Sequence, residues 1–204
     1  MKIILIFGDS ITYGAWDKEG GWVARLRKFI NKKSSEYLIY NLGISGDTAE
    51  NLLKRFESET EQRVEGEEDI FIFAIGLNDS QFIHSKKNTR FSLQEFKNNI
   101  QKIISLAKKS SPKIIFLGLT PVDEKKTVPW SEDKSYKNEY IQKFNEIIKT
   151  ICNENNAYFI EIFERLIKIN YKKLLDDGAH PNSKGHEKIF KSVKDSLIKN
   201  KIIR

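Results

Sequence analysis

Apolar residues along this chain fall into two alternating patterns. Short, nearly continuous runs rich in β-branched residues read as strands buried on both faces. They cover Ile3 to Phe7, which ends at Gly8, then Tyr37 to Asn41, Asp69 to Ile75, Lys113 to Leu117 and Ala157 to Ile160. Between them the apolar positions recur at helical spacing. Trp22, Leu26, Phe29 and Ile30 predict a helix over roughly 20–33. Leu52, Leu53 and Phe56 mark a second helix, and Asp47 followed three residues later by Glu50 resembles a capping box at its start. Leu93, Phe96, Ile100, Ile103 and Ile104 give a third, and Tyr140 to Cys152 lie on a fourth. A short helical segment at Phe163–Leu166 and a closing helix from about Ser183 to Ile198 complete the pattern.

Five βα units in succession predict an α/β fold with a five-stranded parallel sheet covered by helices on both faces. Right-handed crossovers make it a flavodoxin-like three-layer α/β/α sandwich. No repeat, linker or low-complexity tract divides the chain, so the expectation is a single domain over residues 1–204. The two longest irregular stretches are 80–91 and 121–136, and the second, with Pro129 and Trp130 among charges, reads as an exposed loop.

Composition narrows the function classes. The formal charge is +7, but Lys outnumbers Arg by 28 to 7 and the lysines are scattered among glutamates on every predicted helix. No basic stripe is interleaved with aromatics and no nucleic-acid module appears, so no nucleic-acid partner is expected. The acidic run Glu65-Gly66-Glu67-Glu68-Asp69 reads as a solvated loop before a strand. No apolar run approaches the ~20 residues of a membrane helix, so stable membrane insertion is not expected. The opening Met1 to Phe7 is too short for a signal-peptide core, and its removal would delete the strand before Gly8-Asp9-Ser10. Cys152 has no second cysteine to pair with and sits in an apolar helical run, which suits a reducing cytoplasm.

Four polar motifs each follow a predicted strand. Gly8-Asp9-Ser10 follows the first, Gly43-Ile44-Ser45-Gly46-Asp47-Thr48 the second and Gly76-Leu77-Asn78-Asp79 the third; Asp177-Gly178-Ala179-His180-Pro181 comes after the fifth and the short helical segment. In a parallel sheet the strand ends share one edge, where open α/β folds bind ligands. Acyl transfer needs a nucleophile, a base, a group that holds the base in one tautomer, and donors for the oxyanion. Ser10 supplies a hydroxyl at a strand-to-helix turn, although serine there is more often a simple N-cap. The three-residue offset between Asp177 and His180, eased by Gly178, turns a carboxylate back towards the imidazole; Asp176 competes but stands one residue further away. Asn78 offers a neutral amide donor, and Gly46 an N–H near a helix start. Asp9 and Asp79 order their loops through backbone hydrogen bonds.

Taken together, these blocks resemble the SGNH hydrolases, the GDSL esterases and lipases, over residues 8 to 181. The resemblance implies Ser10 as nucleophile, His180 as base and Asp177 as its orienter. It assigns the oxyanion hole to the N–H groups of Ser10 and Gly46 and the side chain of Asn78. The implied activity is hydrolysis of a small-molecule carboxylic ester, with no cofactor. A thioesterase or acyltransferase would use the same site, and a flavodoxin-like binding module would need none of this chemistry. His84, His180 and His186 match no common zinc spacing, and no metal is expected. His186 reads as a partly buried or solvated residue of the last helix. Tyr13 and Trp16 line a pocket or simply pack. Nothing in the pattern bears on oligomeric state.

Overall fold

A computed structural model of the protein describes residues 1–64, 66, 68–111 and 113–203. Its strands are β1 (Lys2–Gly8), β2 (Tyr37–Gly43), β3 (Ile70–Ala74), β4 (Phe82–Ile83), β5 (Asn88–Thr89), β6 (Lys113–Leu117), β7 (Lys134–Ser135) and β8 (Tyr158–Ile160). The helices are α1 (Ser10–Tyr13), α2 (Gly21–Asn31), α3 (Ala49–Glu61), α4 (Leu93–Ala107), α5 (Glu124–Thr127), α6 (Asn138–Glu154), α7 (Phe163–Ile167) and α8 (Ser183–Lys199).

The five long strands form one parallel sheet in the order β2-β1-β3-β6-β8. Helices α2 and α8 pack on each other, as do α3 with α4 and α4 with α6, and these two groups cover the sheet as the outer layers. This is the three-layer α/β/α fold that the alternation of spacings predicts. Strand order reverses between β1 and β3, and such a switch point opens a crevice at the carboxyl edge.

The core explains why the runs were so apolar. Every residue of β1 from Ile3 to Gly8 is buried, because the strand lies between β2 and β3 with helices on both sides. Phe73 stacks on Phe7 at 5.5 Å and on Phe116 at 4.8 Å between ring centroids, binding three adjacent strands. Burying each such ring stabilises the fold by about 1.5–3 kcal/mol. Cys152 belongs to this core, and burial pushes its thiol up to about 12. Among the described residues no helix is long and apolar enough to cross a membrane.

Several local expectations need correction. Asp47 does not cap α3: Thr48 does, its hydroxyl accepting the Asn51 N–H at 3.3 Å. The Asp47 carboxylate instead pairs with Arg55 at 2.8 Å, and Arg55 also donates to the Leu42 carbonyl at 2.8 Å, fastening the 43–48 loop to the sheet edge. Asp69 is not solvated; it is buried and accepts the Ile3 N–H at 2.8 Å, while Glu65 and Glu67 lie outside the described residues. The 121–136 stretch is not simply an exposed loop. It holds α5 and β7, and β7 pairs with β4, which pairs with β5, in a small antiparallel sheet. Thr127, Ser135 and Tyr136 are buried there.

Candidate active site

The turn after β1 has little freedom. A Cβ on Gly8 would stand 2.1 Å from the Thr12 hydroxyl and 2.6 Å from the Ala74 carbonyl, so only glycine lets the chain turn there. Asp9 then caps the short helix α1, accepting the Ile11 N–H at 3.0 Å, and Ser10 becomes its first residue. Burial pushes the Asp9 carboxyl up to about 6, against the opposing pull of the Ile11 N–H and the charge of His180.

At the other end of the chain, Gly178 adopts φ +101°, a left-handed conformation that suits glycine. The turn lets Asp177 accept the N–H groups of Ala179 at 2.9 Å and His180 at 2.8 Å through one oxygen. Its other oxygen faces His180 Nδ1 at 2.7 Å. Across the sheet edge, His180 Nε2 lies 2.9 Å from Ser10 Oγ. A carboxylate on Nδ1 keeps the proton on that nitrogen, so Nε2 accepts from the serine hydroxyl. Burial alone would raise the Asp177 carboxyl, but the hydrogen bonds from His180 and Ala179 hold it well below the usual carboxylate range. Asp176 uses its backbone to bond the His180 carbonyl at 2.8 Å, leaving the orienting position to Asp177.

The remaining expected residues meet at the same cleft. Ser10, Gly46, Asn78 and His180 all line a cleft of about 840 Å³. Gly46 holds φ +82° at the turn before α3. Among the described residues the N–H groups of Ser10 and Gly46 reach no protein acceptor. The Asn78 amide spends one hydrogen on the Asp47 carbonyl at 2.9 Å and keeps a second. Asp79 bonds the Ala49 N–H with both oxygens, at 3.0 and 3.2 Å, and burial pushes its carboxyl up to about 7. Asp9 and Asp79 thus order their loops as expected.

Other parts of the arrangement escape the motifs. Tyr136 donates to Asn78 Oδ1 at 2.8 Å and accepts from Gln81 Nε2 at 2.7 Å, so the phenol and the Asp47 carbonyl together fix which way the Asn78 amide faces. The small antiparallel sheet delivers both residues; its two-residue strands are too short to leave a readable periodicity. The Trp16 indole N–H donates to Asp177 at 2.8 Å, on the same oxygen that serves His180. Tyr13 and Trp16 line the cleft at 62% exposure each, so neither is core packing. His186 is fully buried, with Nε2 3.3 Å from the Ala15 carbonyl, and His84 lies against Ser135 away from the cleft. Among the described residues no group of three or more His, Cys, Asp or Glu is set to hold a metal ion.

A hydroxyl, imidazole and carboxylate in line, beside open N–H donors, can pass a proton from serine to histidine while an oxyanion is held. Known proteins share the arrangement's frame. A multidomain esterase of Ruminococcus flavefaciens is 26% identical over 92% of this chain, which spans only 27% of that protein's length. The isoamyl acetate-hydrolyzing esterase of Saccharomyces cerevisiae is 28% identical over 96% of this chain and 84% of its own. The crystal structure of a lipase/acylhydrolase from Enterococcus faecalis superposes with a TM-score of 0.79 at 22% identity, covering 97% of this chain and 95% of its own, and so shares the fold. The GDSL-like lipase/acylhydrolase family matches residues 6–188, which takes in all four polar motifs, and the chain belongs to that family.

Proposed function

We propose that this protein hydrolyses carboxylic esters of small molecules through an acyl-Ser10 intermediate. The observation that carries the reading is the line Ser10–His180–Asp177, with contacts of 2.9 and 2.7 Å between residues as far as 170 positions apart. Membership of a lipase/acylhydrolase family supports the same class of chemistry.

In this reading the Ser10 oxygen attacks the ester carbonyl as His180 Nε2 takes its proton. Asp177 keeps the imidazole in the accepting tautomer and stabilises the imidazolium that forms. The tetrahedral oxyanion is met by the N–H groups of Ser10 and Gly46 and by the spare amide hydrogen of Asn78. His180 then gives its proton to the departing alcohol. A water activated by His180 attacks the acyl-serine, and collapse releases the acid and restores the hydroxyl.

The named substrate of the yeast relative is an acetate ester, which makes p-nitrophenyl acetate the natural first probe. Ser10→Ala should abolish its turnover and also abolish the mass gain that the intact protein shows with a fluorophosphonate. Turnover or labelling that survives the substitution would refute Ser10 as the nucleophile.

A further inference from the structure

The cleft has an asymmetry of charge. Lys18, Arg90 and Lys134 line it, and Asp17 is the carboxylate beside them. Asp17 is already spent: it pairs with Arg25, accepts the Ser183 hydroxyl at 2.6 Å and accepts the Gly21 N–H at 3.0 Å. None of the three cations has a carboxylate at ion-pair distance among the described residues.

Arg90 is the most telling of the three. It is only partly exposed, yet its guanidinium makes one long side-chain contact, with Gln81 Oε1 at 3.5 Å. A guanidinium carries five N–H donors in a planar fork, and partly buried ones are ordinarily paired. The acid that feels its charge, Asp79, is fully buried with both oxygens on the Ala49 N–H. The unmet donors are therefore free for something that enters the cleft.

Geometry also indicates which part of an ester would meet them. His180 must deliver a proton to the departing alcohol, so the alcohol leaves on the imidazole side. Trp130 rests there, 6.1 Å from the His180 ring and 5.5 Å from Tyr136. Its backbone N–H bonds the Lys134 carbonyl at 2.8 Å, which sets Lys134 beside it. Tyr136 in turn holds Gln81, the contact of Arg90.

We infer that Arg90, with Lys134, binds an oxyanion carried on the alcohol part of the substrate, so the preferred substrates are negatively charged esters. A carboxylate and a phosphate share this chemistry. The inference rests on the proposed ester hydrolysis at Ser10.

The test compares phenyl acetate with three para-substituted analogues: 4-acetoxybenzoate, 4-acetoxyphenyl phosphate and the cationic 4-acetoxy-N,N,N-trimethylanilinium. Each kcat/KM is divided by the same ester's rate of alkaline hydrolysis, which removes leaving-group reactivity. At least one anionic ester should exceed phenyl acetate by about tenfold, equivalent to about 1.4 kcal/mol, and the cationic ester should fall below it. The better anion tells carboxylate from phosphate. Arg90→Gln and Lys134→Gln should each shrink the anionic-to-neutral ratio, Arg90→Lys should retain part of it, and Lys191→Gln on the exposed face of α8 should leave the ratio alone. The last control separates a local contact from attraction by the net charge of +7. Equal normalised rates for anionic and neutral esters, or a ratio that persists in the Arg90→Gln/Lys134→Gln double variant, would overturn the inference and leave ester hydrolysis at Ser10 intact. Failure of that hydrolysis would instead appear as no turnover of phenyl acetate.

Discussion

Tyr136→Phe removes one oxygen and tests whether the Asn78 amide must be aimed. In the folded protein the phenol donates to Asn78 Oδ1 at 2.8 Å, while Asn78 Nδ2 donates to the Asp47 carbonyl at 2.9 Å. Two bonds of opposite polarity thus hold the amide in one orientation, with both side chains nearly buried, Asn78 at 7% and Tyr136 at 6% exposure. Without the phenol, the Asp47 carbonyl acts alone, and Asn78 Oδ1 and Gln81 Nε2 each lose a partner. A net neutral hydrogen bond stabilises its geometry by about 0.5–1.5 kcal/mol. If that bias is spent on presenting the spare N–H to the oxyanion, kcat should fall about 3- to 10-fold. Outright loss of the donor in Asn78→Ala should cost about 10²–10³. KM should stay within about twofold, since the interaction acts on the transition state. The assay is p-nitrophenyl acetate turnover for both single variants and the double variant. Because Tyr136 acts through Asn78, its effect should vanish in the Asn78→Ala background. An unchanged kcat in Tyr136→Phe, or an equal fall in both backgrounds, would refute the aiming role.

Two further predictions concern the acids. Asp177→Asn places an amide where a carboxylate now accepts four donors, and the His180 ring must then put its proton on Nε2, facing Ser10; kcat for p-nitrophenyl acetate should fall roughly 10³–10⁴, and a loss under tenfold would show that the carboxylate is dispensable. Asp79, whose carboxyl is pushed up from 3.8 to about 7, holds a proton in the folded state that the unfolded chain has released. Its contribution to stability is therefore full below about pH 4 and lost as pH rises through 7, with a slope of at most about 1.4 kcal/mol per pH unit. In urea unfolding from pH 5 to 8, the stability of the unsubstituted protein relative to Asp79→Asn should decline, and a difference that is flat or rises with pH would contradict the assignment.

The frame was legible because strand burial and helix amphipathicity write themselves into spacing. Ile3–Phe7 is apolar throughout since both its faces are covered, and the four polar motifs stand out as the places where such runs stop. Asp177 and His180 are three residues apart, so their meeting is a local matter readable from the turn. What stayed hidden depends on contacts between distant segments. Asp47 and Thr48 are both good caps by type, and only the position of Arg55 draws Asp47 away. Asp69 looks solvated in an acidic run until the Ile3 N–H from a neighbouring strand meets it. Tyr136 earns its place through β4 and β7, two residues each, whose pairing is set by tertiary packing rather than by pattern.

The serine turn and the histidine turn come from opposite ends of the polypeptide, and Asp17 ties one to the other through Ser183. Until the segment that carries Asp177 and His180 is in place, Ser10 is an ordinary alcohol. Helix α8 begins three residues after His180 and packs on α2, so the same contact that closes this outer layer also steadies the histidine turn. A serine and a base held on separate, distant turns thus meet only across the finished sheet edge, and neither turn alone holds the pair.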